Sequence, residues 1–193
     1  MRIRWIAAGI AAAAAVIVGS IWTVEHLAPK PGSIGGPFVL VDTNGQRVTD
    51  RDLAGKPTVI YFGFTYCPEV CPTTLAAMGQ WIHALGADAD KLNFAFVSID
   101  PERDTPSQMK LYLSSFDPHI RGLTGTSAQI ARITGEYQVY VQKIPLAGGS
   151  YTMDHSSAVY LMDRQDRFVG VIAYQEPPGQ AVKQLQDLGR NPS

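Results

Sequence analysis

Residues 57–74 read PTVIYFGFTYCPEVCPTT, and no other stretch constrains the fold of this chain as much. PTVIYFGFTY is a nearly continuous run of β-branched and aromatic side chains, the pattern of a central strand buried on both faces. It delivers Cys67 to the strand's C-terminal end. Pro72 then opens PTTLAAMGQWIHAL, where Leu75, Met78, Ile82 and Leu85 recur at helical spacing behind a proline suited to a first turn.

The rest of the chain extends that strand-to-helix unit. FVLVDTNGQRVTDRDL alternates apolar and polar residues around Asn44-Gly45, which predicts an opening hairpin with a two-residue turn. NFAFVSID (93–100) reads as a second buried strand. The helix after it has Thr105 as N-cap, Pro106 as first residue and Gln108 as capping-box partner. IRGLTG is a short strand, SAQIARITGEYQV a helix with Gly135 inside it, SSAVYLMDRQDRFVGVIAY two strands about a polar turn, and PPGQAVKQLQDLGR a final helix. The expected fold class is α/β, a mixed sheet with helices on both sides.

Two arginines and then an uncharged run from Trp5 to Val24 begin the chain. Those 20 residues span about 30 Å as a helix, enough to cross a bilayer. Arg2 and Arg4 orient the N-terminus to the cytoplasm, with Trp5 and Trp22 as interfacial anchors. A cleaved signal peptide is the plainer alternative, but the run exceeds the usual apolar region of roughly 7–15 residues, so an uncleaved signal anchor is expected over 1–27. APKPGSIGGP (28–37) reads as a Pro/Gly-rich tether, and 38–193 as the folded domain. The short N-terminus lacks a long Arg- and Ser-rich transit segment, so the expected location is a bacterial inner membrane, crossed once, with the soluble domain in the periplasm. A net charge of −1 and the lack of any Lys/Arg block argue against nucleic-acid binding.

Cys67 and Cys71 are the only two cysteines, with three residues between them and a proline after each. Residues before proline avoid the helical region, so both are expected outside the helix, with Cys71 as its cap and the helix dipole favouring its thiolate. In an open α/β sheet ligands bind beyond the strand C-termini, which is where this pair lies. A structural disulfide would close too small a loop to add much stability. A redox pair of thioredoxin type suits the position, although that motif has two intervening residues. The third reading is a soft-metal site, since two sulfurs each about 2.3 Å from one ion lie roughly 4 Å apart, a separation a pliable loop permits.

Two thiolates rarely complete a site, and the chain has four histidines. His26 in the tether and His119 in FDPH read as solvated. His83 is eleven residues beyond Pro72, about 16 Å along a helix and too far to share an ion with Cys71; it is expected partly buried beside Ile82. His155, in YTMDHSSAVYL, reads in isolation as a loop histidine satisfied by a backbone carbonyl. The peroxiredoxin pattern P-x-x-x-T/S-x-x-C fits neither cysteine, because Phe64 and Pro68 stand three before them.

YFGFTYCPEVCPTTL, VSIDPERDTP and DHSSAVYLMD, in this order behind an apolar N-terminus, resemble the Sco/SenC family of thioredoxin-like assembly factors of cytochrome c oxidase, over roughly residues 34–190. The resemblance implies a thioredoxin-like domain in which Cys67, Cys71 and His155 bind one copper ion, as Cu(I) and in addition Cu(II). It implies copper delivery to the CuA site of oxidase subunit II by a metallochaperone, or reduction of that site's cysteines by a thiol-disulfide oxidoreductase using Cys67 and Cys71. Asp154 is a candidate outer partner of the imidazole, and Asp100 and Glu102 are expected in loop and capping roles. An upstream thiol reductant follows as a partner because only the dithiol binds metal, and another copper chaperone is a further expected partner.

Overall fold

The apolar run at 57–66 forms β3 (Thr58–Gly63), buried at every position in a computed structural model that describes residues 34–190. The anchor expected over 1–27, His26 and most of the 28–37 tether lie outside the described residues. Among the described residues no helix is long and apolar enough to cross a membrane.

β3 pairs in parallel with β4 (Asn93–Ser98) and antiparallel with β8 (Val159–Met162), so both of its edges are satisfied. β5 (Ile120–Thr124) continues the parallel part beyond β4. β1 (Val39–Asp42) with β2 (Arg47–Thr49) closes one side antiparallel, and β9 (Phe168–Ile172) closes the other. The order β2-β1-β5-β4-β3-β8-β9 is the mixed seven-stranded sheet the sequence implies. The short α1 (Asp50–Leu53) follows β2 directly.

Alternation along β3 sends its side chains to two different layers. Tyr61 faces Phe96, whose ring reaches Tyr112 on α3 (Pro106–Leu113), with centroids 5.9 and 6.1 Å apart. Phe62 faces the opposite layer, 5.5 Å from Tyr137 at the end of α4 (Ser127–Glu136). α2 (Val70–Leu85) follows β3 and packs with α5 (Pro178–Arg190). The sheet is therefore flanked by helices, a thioredoxin-like α/β arrangement.

Several local expectations are corrected. The opening hairpin turns over three residues: the Asp42 carbonyl accepts from Gly45 N, Asp42 N donates to the Gln46 carbonyl, and Gly45 alone takes positive φ, at 77°. The Asp42 carboxylate accepts from the Asn44 and Gln46 amides and fixes that wider turn. Thr105 caps α3 by accepting from Gln108 N, and the reciprocal capping box forms instead between Thr126 and Gln129. His83 is exposed, since the helix turns Ile82 inward and its neighbour outward. His119 is exposed as expected, its Nδ1 2.8 Å from Asp117.

One element had no counterpart in the sequence reading. β6 (Val141–Pro145) and β7 (Tyr151–His155) form a separate two-stranded antiparallel sheet outside the main one. Phe62, fully buried between two layers, is the severest test of the core. Phe62→Ala should cost about 3–5 kcal/mol, read as a lowered urea midpoint with an unchanged slope.

Candidate metal centre

The chain leaves β3 through Phe64, Thr65 and Tyr66 before reaching Cys67, and a buried carboxylate holds that loop. Asp104, 0% exposed, accepts from Thr65 N at 3.0 Å, Thr65 Oγ1 at 2.6 Å and Ser98 Oγ at 2.6 Å. Burial pushes its carboxyl upward, opposed by those donors. The network ties the end of β3 to the end of β4, so the cysteine loop rests on a fixed base.

α2 begins two residues earlier than expected, at Val70 with Glu69 as N-cap, and Cys71 lies within its first turn. Pro72 is accommodated because amides in a first turn have no intrahelical partner to lose. Cys71 is consequently buried at 0% exposure, its sulfur packed over Gly63. A Cβ at Gly63 would come within 2.9 Å of Cys71 Sγ and 2.8 Å of the Phe96 ring, so glycine is what admits the sulfur.

The electrostatics reverse the sequence expectation. Cys71 N donates to Cys67 Sγ at 3.3 Å. The Cys71 thiol also donates to Cys67, and with the backbone amides of Cys71 and Glu69 it holds Cys67 down at about 4 despite partial burial. The same donated hydrogen bond, with burial, pushes Cys71 up. The half-buried Cys67 at the helix N-terminus is thus the thiolate, and Cys71 beneath it stays protonated. The dipole expected to act on Cys71 acts on its neighbour, because burial dominates one turn deeper.

His155 ends β7 and points its Nε2 at Cys71 Sγ, 3.7 Å away. Its Nδ1 donates to the Ser156 carbonyl at 2.8 Å, which leaves Nε2 with the free lone pair facing the sulfur. Phe64 stands edge-on to the imidazole with centroids 5.9 Å apart, and Tyr61 lies behind it at 6.4 Å. Asp154, expected beside the imidazole, is exposed on the opposite face of β7. The Ser156 carbonyl takes the place foreseen for it.

Of the four histidines the structure brings only His155 to the cysteines, among the described residues. No three His, Cys, Asp or Glu side chains among them stand in a finished metal cage. Chemically the donor set suits a soft ion: one sulfur and one imidazole nitrogen 3.7 Å apart can share an ion about 2.3 and 2.0 Å from each, and the second sulfur, of Cys67, lies 3.3 Å from the Cys71 amide. Cys71 must lose its proton to join such a site, and the adjacent Nε2 is placed to receive it or to replace it by a metal bond.

Sequence reasoning missed the residues around this pair. Arg103 stacks over Tyr151, Cζ 3.7 Å from the ring centroid, and Tyr151 donates to Asp100 at 2.8 Å. Asp100 therefore bridges to β7 as well as shaping its own loop. A weak signal was present in the alternation of YTMDH after AGGS, a turn-forming run before a strand.

The family model described as SCO1/SenC matches residues 27–190. Copper-bound ScoI of Bradyrhizobium japonicum is similar at 52% identity and a TM-score of 0.77, covering 81% of this chain and 99% of that one. Copper-bound yeast Sco1 is similar at 38% identity and a TM-score of 0.75, over 80% and 87% of the two chains. Among curated proteins, the mitochondrial protein SCO1 of Saccharomyces cerevisiae is 41% identical over 155 residues, 78% of this chain and 52% of that one. The chain spans about half the length of the curated relatives it matches.

The ionisation pattern gives a direct test on the reduced, copper-free protein. Alkylation of Cys67 by iodoacetamide should vary little between pH 6 and 9 and slow only as pH falls toward about 4. An ordinary thiol would instead accelerate through pH about 8.5, and that profile would contradict the assigned thiolate.

Proposed function

The chain belongs to the SCO1/SenC family, and on that premise we propose that it is a membrane-tethered copper metallochaperone whose cargo is held by the thiolates of Cys67 and Cys71 and the imidazole of His155. One observation carries this reading: His155 Nε2, with its tautomer set by Ser156, faces Cys71 Sγ at 3.7 Å across 84 positions of sequence. Copper in the similar ScoI and Sco1 structures supports the choice of ion.

Thiolates favour Cu(I), while imidazole nitrogen and any added oxygen favour Cu(II). A three-coordinate ion leaves a side open to a ligand of the recipient, so copper can pass by stepwise ligand exchange. The client this reading assigns is the CuA site of cytochrome c oxidase subunit II, with a second copper chaperone as donor. Oxidation of the pair to a disulfide removes two electrons and two protons and both thiolate ligands, so loading requires an upstream thiol reductant. The apolar run from Trp5 to Val24 supports a single crossing of a bacterial inner membrane with the domain in the periplasm.

Titration of the reduced protein with Cu(I) against a competing chelator tests the ligand set. His155→Ala should weaken binding by one to two orders of magnitude at unchanged stoichiometry, and an unaltered affinity would remove the imidazole from the site.

The asymmetry of the two thiols favours a second reading, thiol-disulfide oxidoreductase. Cys67 has the depressed pKa of an attacking thiol, and Cys71 is protonated beside it as a resolving thiol. Cys67 would attack a client disulfide and expel one client thiolate, and Cys71 would then displace the other. Cys71→Ser should accumulate a mixed disulfide between Cys67 and oxidase subunit II, visible on non-reducing gels. If no adduct forms, this second activity is excluded.

A further inference from the structure

We propose that Arg103 is a positioning residue for the metal centre: by clasping Tyr151 it fixes the β6–β7 hairpin where His155 stands over the cysteines. The inference rests on the reading of His155 as third ligand, and the test below separates the two.

The hairpin that carries His155 has little else to hold it. None of its ten residues is fully buried, and its strands pair only with each other. A cleft of about 430 Å³ runs beneath it, between Val141 and Met153 on the hairpin and Ile130 and Thr134 on α4. Met153 alone among the β7 side chains packs against the core. Hydrophobic burial, which fixes the seven-stranded sheet, is therefore a weak restraint here. The exposed ion pair of Lys143 with Glu102, at 2.7 Å, adds little in water.

Arg103 is different in kind. Its side chain is only 19% exposed, and its Nε donates to Asp100 Oδ2 at 2.5 Å. One terminal nitrogen donates to the Tyr151 carbonyl at 3.0 Å, and the guanidinium sits over the Tyr151 ring with Cζ 3.7 Å from its centroid. The Tyr151 hydroxyl closes the circuit by donating to Asp100 Oδ1 at 2.8 Å. On its other side the guanidinium approaches Tyr66 at 4.7 Å and Phe64 at 5.8 Å. These two rings flank the cysteine loop, and Phe64 also touches the imidazole edge-on. One planar cation thus joins the loop after β4, the cysteine loop and the hairpin, through contacts a lysine cannot make together.

Strand periodicity transmits the grip. Tyr151, Met153 and His155 share one face of β7, with the clasped residue four positions, about 13 Å, from the imidazole. The separation of 3.7 Å between Nε2 and Cys71 Sγ is about what a three-coordinate ion spans between nitrogen and sulfur. A displacement of 1 Å at the strand end is enough to take the nitrogen out of bonding range.

The experiment is a double-mutant cycle on the full chain in detergent, reduced and titrated with Cu(I) against bicinchoninate. Arg103→Ala should weaken Cu(I) binding about tenfold when His155 is present and less than twofold in the His155→Ala background. Arg103→Lys keeps a cation over Tyr151 without the fork and should recover part of the loss; it also carries the test if Arg103→Ala does not fold. Equal losses in both backgrounds would mean that Arg103 only supports the fold, which overturns the proposal. A loss from His155→Ala with none from either Arg103 variant overturns the positioning role alone. No loss from His155→Ala overturns the three-ligand reading and this inference with it.

Discussion

The contact between Cys71 Sγ and His155 Nε2 joins two segments that share no element, no sheet and no short loop. Each side of it is held by a separate device. On the cysteine side, β3 is buried at all six positions, the Asp104 network fixes the loop that follows, and Gly63 leaves the space into which Cys71 sinks. On the histidine side, a hairpin with no fully buried residue depends on the contacts of Arg103, Asp100 and Tyr151. The two sides differ in stiffness. The sulfurs follow a strand buried at the centre of the main sheet, whereas the nitrogen comes from a separate two-stranded hairpin.

That division suits cargo handling better than permanent retention. A resident metal centre gains from four ligands locked by core packing, whereas the proposed site would combine two neighbouring thiols with one imidazole on a lightly restrained strand. The thiols themselves are unequal. Cys67 keeps its charge at the helix N-terminus, while Cys71, one turn deeper, is protonated by burial and by the bond it donates. The same inequality serves a thiolate attacking a disulfide and a dithiol accepting a soft cation, which is why one pair of residues supports both readings of function.

Much of the fold was legible because it follows from local rules. The apolar run at 57–66, the helical spacing after Pro72 and the alternation around Asn44-Gly45 each became the element they implied, and their sum gave the mixed sheet. Errors fell where burial competes with a local preference. Cys71 precedes a proline and was expected outside the helix, yet it lies in the first turn because packing over Gly63 draws it there. His83 was expected partly buried beside Ile82, but the helix phase turns it to solvent. The β6–β7 hairpin went unread because its strands bury no residue fully, so only the weak alternation of YTMDH marks them.

By itself the sequence determined the two-sided burial of β3, the delivery of a cysteine pair to the end of that strand, and, through three short blocks in fixed order, the family. These are properties of neighbours along the chain, set by side-chain period, proline geometry and residue spacing. Tertiary structure alone decided which thiol carries the charge, which ring nitrogen of His155 is free, and which guanidinium holds the hairpin against the cysteine loop. Those outcomes depend on burial and on contacts between residues tens of positions apart. No local pattern encodes such a distance; it exists only once the sheet has closed.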